Sequence, residues 1–190
     1  PYTVTFAGAF FAKNDTSSDN LVTLMENNRE LWLIGERHSE VWYDAGGANF
    51  AFSRIPGVAP QIGCAAKHTI ARLGDSLAWL GKSERGENIV VKTEQYSYTT
   101  ISNFALEAAI SSYPLIDDAF AYSYEAEGHL FYVLTFPTAD KTWVYDATTS
   151  TLLGVPTWHE RASYNSSTGT FHRDSSNCYA NFQKNFKSFW

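Results

Sequence analysis

Short apolar runs separated by polar or glycine-bearing turns set the rhythm of this chain, the pattern of strands joined by tight connections. Leu21–Met25 precedes the turn Glu26-Asn27-Asn28-Arg29, and Leu31-Trp32-Leu33-Ile34-Gly35 follows it. Glu36-Arg37-His38-Ser39 then leads into Val41-Trp42-Tyr43-Asp44. Beyond Ala45-Gly46-Gly47 a further strand is expected to include Phe50, Phe52 and Ile55. Four short strands are therefore predicted within residues 21–57.

The arrangement recurs. Cys64–Leu73 passes through Gly74-Asp75 into Ser76-Leu77-Ala78-Trp79-Leu80-Gly81, followed by Ile89-Val90-Val91-Lys92 and Tyr96–Ile101. A third copy opens with Phe120, Tyr122 and Tyr124 at period two. It turns at Glu127-Gly128 into Leu130–Phe136, apolar at nearly every position as expected of a strand buried on both faces. Thr142-Trp143-Val144-Tyr145-Asp146 follows, then a loop over Ala147–Pro156 and a strand over Trp158–Ser163. The leading leucines of the three copies, Leu31, Leu77 and Leu130, stand 46 and 53 positions apart. Repeats of about 40–50 residues with four strands each are the sequence sign of propeller blades.

One segment departs from this period. Ser102–Tyr113 carries Phe104, Ala105, Ala108, Ala109 and Ile110 at helical spacing, with Ser102 as a candidate N-cap and Pro114 after the end. The sequence thus predicts an all-β, β-propeller-like chain of repeated four-stranded antiparallel blades, about three to four of them, with a short helical insertion. The expected blades are 21–57, 62–101 and 117–163, with the insertion at 102–113 and the start of a further blade at 177–190. The only methionine is Met25, so Pro1 is not expected to be an encoded start. A processed chain or an excerpt of a longer one is expected.

Composition narrows the function. Of 190 residues, 44% are hydrophobic and 18% charged, which excludes a disordered chain. Six Trp, 11 Tyr and 13 Phe suit pleated strands better than helices. The 14 basic and 20 acidic residues give a net charge of −6, with Lys and Arg scattered singly. No direct nucleic-acid grip is expected, because such a surface needs clustered positive charge. No apolar run is long enough to span a bilayer, so no membrane is expected either. Cys64 and Cys178 are too few for a zinc site and are expected to be buried reduced thiols.

Candidate chemistry is sparse. His159-Glu160-Arg161 holds acid–base types, but neighbours on a strand face opposite ways. Asp117-Asp118 has the look of a glycosidase carboxylate pair, yet it reads more simply as turn residues. His38, His68, His129 and His172 are dispersed without metal-ligand spacing. No phosphate-cradling, dinucleotide or nucleophile-elbow motif occurs. The sequence predicts no catalytic residue, cofactor or metal. Trp32, Trp42, Trp79 and Trp143 are expected to fill the wedge between stacked blades. Tyr96, Tyr98 and Tyr113, in connecting segments, are the candidates for an exposed contact surface.

These motifs resemble a known family, the packaged-DNA stabilisation proteins of short-tailed bacteriophages. The resemblance is carried by Asn28-Arg29-Glu30-Leu31-Trp32-Leu33-Ile34-Gly35-Glu36-Arg37-His38-Ser39-Glu40-Val41-Trp42-Tyr43, by Gly63-Cys64-Ala65-Ala66-Lys67-His68 and by Leu77-Ala78-Trp79-Leu80-Gly81. Glu127-Gly128-His129, Phe131–Thr138, Thr142-Trp143-Val144-Tyr145-Asp146 and Trp158-His159-Glu160-Arg161 continue it in order. The resemblance implies a non-enzymatic virion component of the phage tail, made in the bacterial cytoplasm. Several copies would form a homo-oligomeric ring on the portal–adaptor proteins, carry the distal tail parts and retain the packaged DNA. The competing reading is a carbohydrate-binding or glycoside-cleaving propeller, which would need convergent carboxylates among loop aromatics. A host-side scaffolding propeller is the third.

Overall fold

In the computed structural model, residues 19–47, 50–83, 86, 88–177, 182–184 and 187–189 are described. The first sheet joins β1 (Leu21–Asn27), β2 (Glu30–Gly35), β3 (Ser39–Asp44) and β4 (Phe52–Arg54) in sequence order, each antiparallel to the next. The β1–β2 turn has two residues, Asn28 and Arg29, both at positive φ (53° and 66°). Such a turn twists in the same sense as its strands, which is why asparagine begins it. Glu127-Gly128 makes the same turn in the third sheet, with φ of 52° and 81°.

The second sheet contains β5 (Gly63–Cys64), β6 (Ala71–Leu73), β7 (Ser76–Lys82), β8 (Asn88–Glu94) and β9 (Ser97–Thr100). Both β5 and β6 pair with β7, so the two short pieces divide one edge-strand position between them. The third sheet runs β10 (Phe120–Ala126), β11 (His129–Phe136), β12 (Lys141–Asp146) and β13 (Trp158–Glu160). Two small hairpins follow, β14 (Ala162–Asn165) with β15 (Thr170–Arg173) and β16 (Phe182–Lys184) with β17 (Lys187–Phe189).

Period-two alternation decides how the sheets meet. On β7, Leu77 and Trp79 point toward the first sheet and share a core with Trp32, Ile34, Val41 and Ile62. Ala78 and Leu80, one residue out of step, share a core with Tyr132, Leu134 and Phe136 of the third sheet. On β8, Val91 and Val90 divide the same way. The middle sheet is therefore covered on both faces, and β7 is buried at five consecutive positions. Each fully buried large side chain there contributes roughly 1.5–3 kcal/mol.

Polar contacts fix the spacing. Ser39 of the first sheet donates its hydroxyl to the Ile62 carbonyl beside β5 at 2.7 Å, while within the second sheet Trp79 donates its indole N–H to the Gly63 carbonyl at 3.1 Å. On the other side, Tyr132 donates its hydroxyl to the Thr69 carbonyl at 2.7 Å. Gly63 is required where the β2–β3 turn presses on the second sheet: a Cβ there would lie 2.0 Å from the Glu36 carbonyl oxygen.

Several local expectations are corrected. The helix α1 (Phe104–Ser111) is capped by Asn103, whose side chain accepts the Leu106 N–H at 2.9 Å, rather than by Ser102. The Ser102 hydroxyl instead accepts the Val90 N–H at 3.1 Å and donates to Glu107 at 2.7 Å. Residues read as a loop form a second helix, α2 (Ala147–Leu153), with Asp146 as N-cap and Gly154 in the left-handed region. The run Trp158–Ser163 breaks at Arg161 into β13 and β14. Trp42 does not join the core between the first two sheets. It lies on the opposite face, donating to the buried Glu40 carboxylate at 2.9 Å and packing edge-on against Phe50.

Candidate functional site

The three tyrosines singled out from sequence are positioned by different elements and do not form one surface. Tyr96, in the β8–β9 turn, donates its hydroxyl to Glu30 at 2.6 Å and so bridges the first two sheets while the residue stays 47% exposed. Hydrogen bonding to the Glu30 carboxylate raises its pKa above the ordinary tyrosine value. Tyr98 lies within β9 and packs, partly buried, against the core shared by those sheets. Tyr113 follows α1 and packs against the other core, edge-on to Phe136 at 5.0 Å. Its hydroxyl accepts the Trp143 indole N–H at 2.8 Å, and burial raises its pKa.

The acid–base candidates are engaged structurally. Glu160 pairs with Lys141 at 2.6 Å. His159, beside it, lies across from Val144 on the opposite face of the third sheet, and burial with the Arg161 charge lowers its pKa. Asp118 accepts the Thr138 N–H at 2.9 Å.

A pairing that the sequence does not announce joins His129 to Asp146 across β11 and β12. The imidazole Nδ1 lies 2.8 Å from the carboxylate. Asp146 also accepts the Thr149 hydroxyl at 2.6 Å and its N–H at 2.9 Å, as the N-cap of α2. Burial acts to raise the Asp146 pKa, but the bonds from Thr149 and His129 outweigh it and hold the carboxyl below the usual aspartate value. The His129 ring stacks on Phe131 at 5.8 Å, and Phe131 packs on Tyr124 at 5.0 Å, over which the Arg161 guanidinium lies. Asp146 followed by Thr149 and Gly154 was the available signal for this cap. The partnership with His129 depends on the register Phe131 opposite Asp146, which only the sheet supplies.

Among the described residues, no group of three or more His, Cys, Asp or Glu could hold a metal ion. No helix among them is long and apolar enough to cross a membrane. Cys64 is a free, buried thiol, and Cys178 lies outside the described residues.

A family model described as bacteriophage P22 Gp10, β-propeller, a phage-stabilisation family, matches residues 5–185. A search of curated proteins found no match. The family match spans all three sheets and both helices.

Proposed function

This chain belongs to the phage-stabilisation family of bacteriophage P22 Gp10, and on that premise we propose that it is a structural protein of the phage tail. It joins the portal–adaptor channel to the distal tail and retains the packaged DNA. The observation that carries the reading is the family match over residues 5–185.

The sheets support it physically. A blade covered on both faces, as the second sheet is, resists shear because Leu77 and Trp79 of β7 are held by one neighbouring sheet and Ala78 and Leu80 by the other. Such stacking suits a part that bears load between other proteins. With a net charge of −6, the chain seals by contact with protein partners rather than by gripping phosphate. We read residues 21–57, 62–101 and 117–163 as successive blades, 102–113 as the insertion between the last two, and 177–190 as the opening of another. Several copies form a ring in the virion, and Tyr96 is the member of the tyrosine set whose ring is presented to a partner.

The test is assembly. The protein should bind purified portal–adaptor complexes, and particles made without it should package DNA and then lose it, with restoration on adding the protein. Particles that hold their DNA equally well without it would refute the reading.

A further inference from the structure

We propose that residues 161–177 form a strap over the outer face of the third sheet, latched by Asp140, that lifts as a unit while the three sheets stay folded. Its release uncovers a sheet face that is otherwise closed. The inference goes beyond the tail role and does not depend on it.

The first observation is how little the strap shares with the sheets. Among the described residues, β14 and β15 pair only with each other. A two-stranded hairpin is at best marginally stable in water. Its cross-strand aromatic pair, Tyr164 and Phe171, packs ring on ring at 5.0 Å but stays 60% and 72% exposed. Neither residue joins an inter-sheet core, so these rings do not hold the hairpin in place.

The second is the path of the strap. Asp174 donates its N–H to the Thr142 hydroxyl on β12 at 3.2 Å, and the Ser176 hydroxyl lies 3.0 Å from that of Tyr122 on β10. Between those contacts the strap crosses β11 on the face away from the second sheet. Thr142 stands opposite Thr135 there, and Tyr122 opposite Val133. Val133, Thr135, Thr142 and Val144 are all fully buried on this face, and the two valines belong to neither inter-sheet core.

The third is the latch. Asp140, in the β11–β12 turn, accepts the Arg173 N–H at 3.0 Å, and the His172 Nδ1 lies 2.8 Å from its carboxylate. One side chain on one turn thus holds two adjacent residues of β15. At the other end, Arg161 donates its N–H to the Thr142 carbonyl at 2.9 Å and lays its guanidinium over Tyr124, so the strap pivots where β13 gives way to β14. Internal braces make it one body. The Arg173 guanidinium donates to the Asp174 carbonyl at 2.9 Å and to the Asn177 side chain at 2.8 Å, and Ser175 donates to Ser163 at 3.1 Å. A segment held by a few polar joints, with little apolar burial, belongs to the parts of a fold that open locally.

The experiment uses the Val133→Cys chain with and without Asp140→Gly. Glycine tolerates the φ of 55° at position 140 and removes only the latch. Amide hydrogen exchange over residues 163–174 should quicken about tenfold in Asp140→Gly, while the amides of β7 and β8 keep their rates. Thiol labelling at position 133, located by peptide mapping, should quicken by the same factor, since both report one opening. His172→Ala, which cuts one of the two latch bonds, should give a smaller rise in both. The exchange measurement is made in the chain without Val133→Cys too, so it decides the matter should that variant not fold. The proposal is overturned if residues 163–174 exchange only when the sheets unfold, if Asp140→Gly leaves their exchange unchanged, or if position 133 labels no faster when the strap opens.

Discussion

Trp79 and Leu80 are consecutive in β7 and lie in different cores, Trp79 against the first sheet and Leu80 against the third. Strand geometry alone sends neighbours to opposite faces, but both are fully buried because a sheet stands on either side.

Trp79→Ala should cost about 3–5 kcal/mol and Leu80→Ala about 2–5 kcal/mol. The location of the damage separates them. Amide hydrogen exchange should rise around Trp32 and Val41 in the first variant, and around Tyr132 and Leu134 in the second. The same exchange pattern in both would contradict two separate cores.

Gly63→Ala should destabilise by about 1–3 kcal/mol or prevent folding, since the added Cβ meets a backbone carbonyl that has no rotamer to escape into. Gly46→Ala is the comparison. A Cβ there meets nothing within 4 Å and suffers only from a φ of +64°, worth about 1 kcal/mol. Urea midpoints for the two variants measure the difference.

The Asp146 carboxyl titrates below its ordinary value of 3.8 in the folded chain. Its ionised form is therefore the one that folding favours. The stabilisation is complete above the unfolded value and is lost as pH falls through the depressed folded one. Asp146→Asn, which keeps an acceptor for the Thr149 N–H, should flatten the stability profile below pH 3.8. Thermal melts across that window, compared with the parent chain, test this. An unchanged acid limb would argue against it.

Burial pushes the Cys64 thiol up to about 11, so at pH 8 only about a thousandth of it is thiolate, against about a quarter for an ordinary cysteine. In a Cys178→Ser background, Cys64 should react with a disulfide reagent at least ~100-fold more slowly in the native chain than in urea. Rapid native labelling would show that the site opens.

Much of the fold was legible from residues alone. The hairpins at Asn28-Arg29 and Glu127-Gly128 follow from turn chemistry, and β11 from an apolar run with β-branched and aromatic members. The aligned copies keep their facing: Leu33, Trp79 and Tyr132 fall on one side of their sheets, Trp32, Ala78 and Phe131 on the other. The helix α2 escaped because Ala147-Thr148-Thr149-Ser150-Thr151-Leu152-Leu153 has no apolar stripe and three β-branched residues. Its caps were visible, but caps without a stripe also describe a loop. Tyr98 lies on the strand expected over Tyr96–Ile101, and its side chain packs, partly buried, on a core, which the polarity of its neighbours does not reveal.

The sequence by itself determined the strands, their turns and the repeated unit, because those obey rules acting over a few neighbouring residues. Only the tertiary structure decided that Tyr96 reaches Glu30, that Asn27 holds the Asp75 carbonyl and that His129 meets Asp146. Those outcomes depend on how one sheet is rotated and spaced against the next. That spacing is set by side-chain volumes drawn from positions more than forty residues apart, and no local pattern records it.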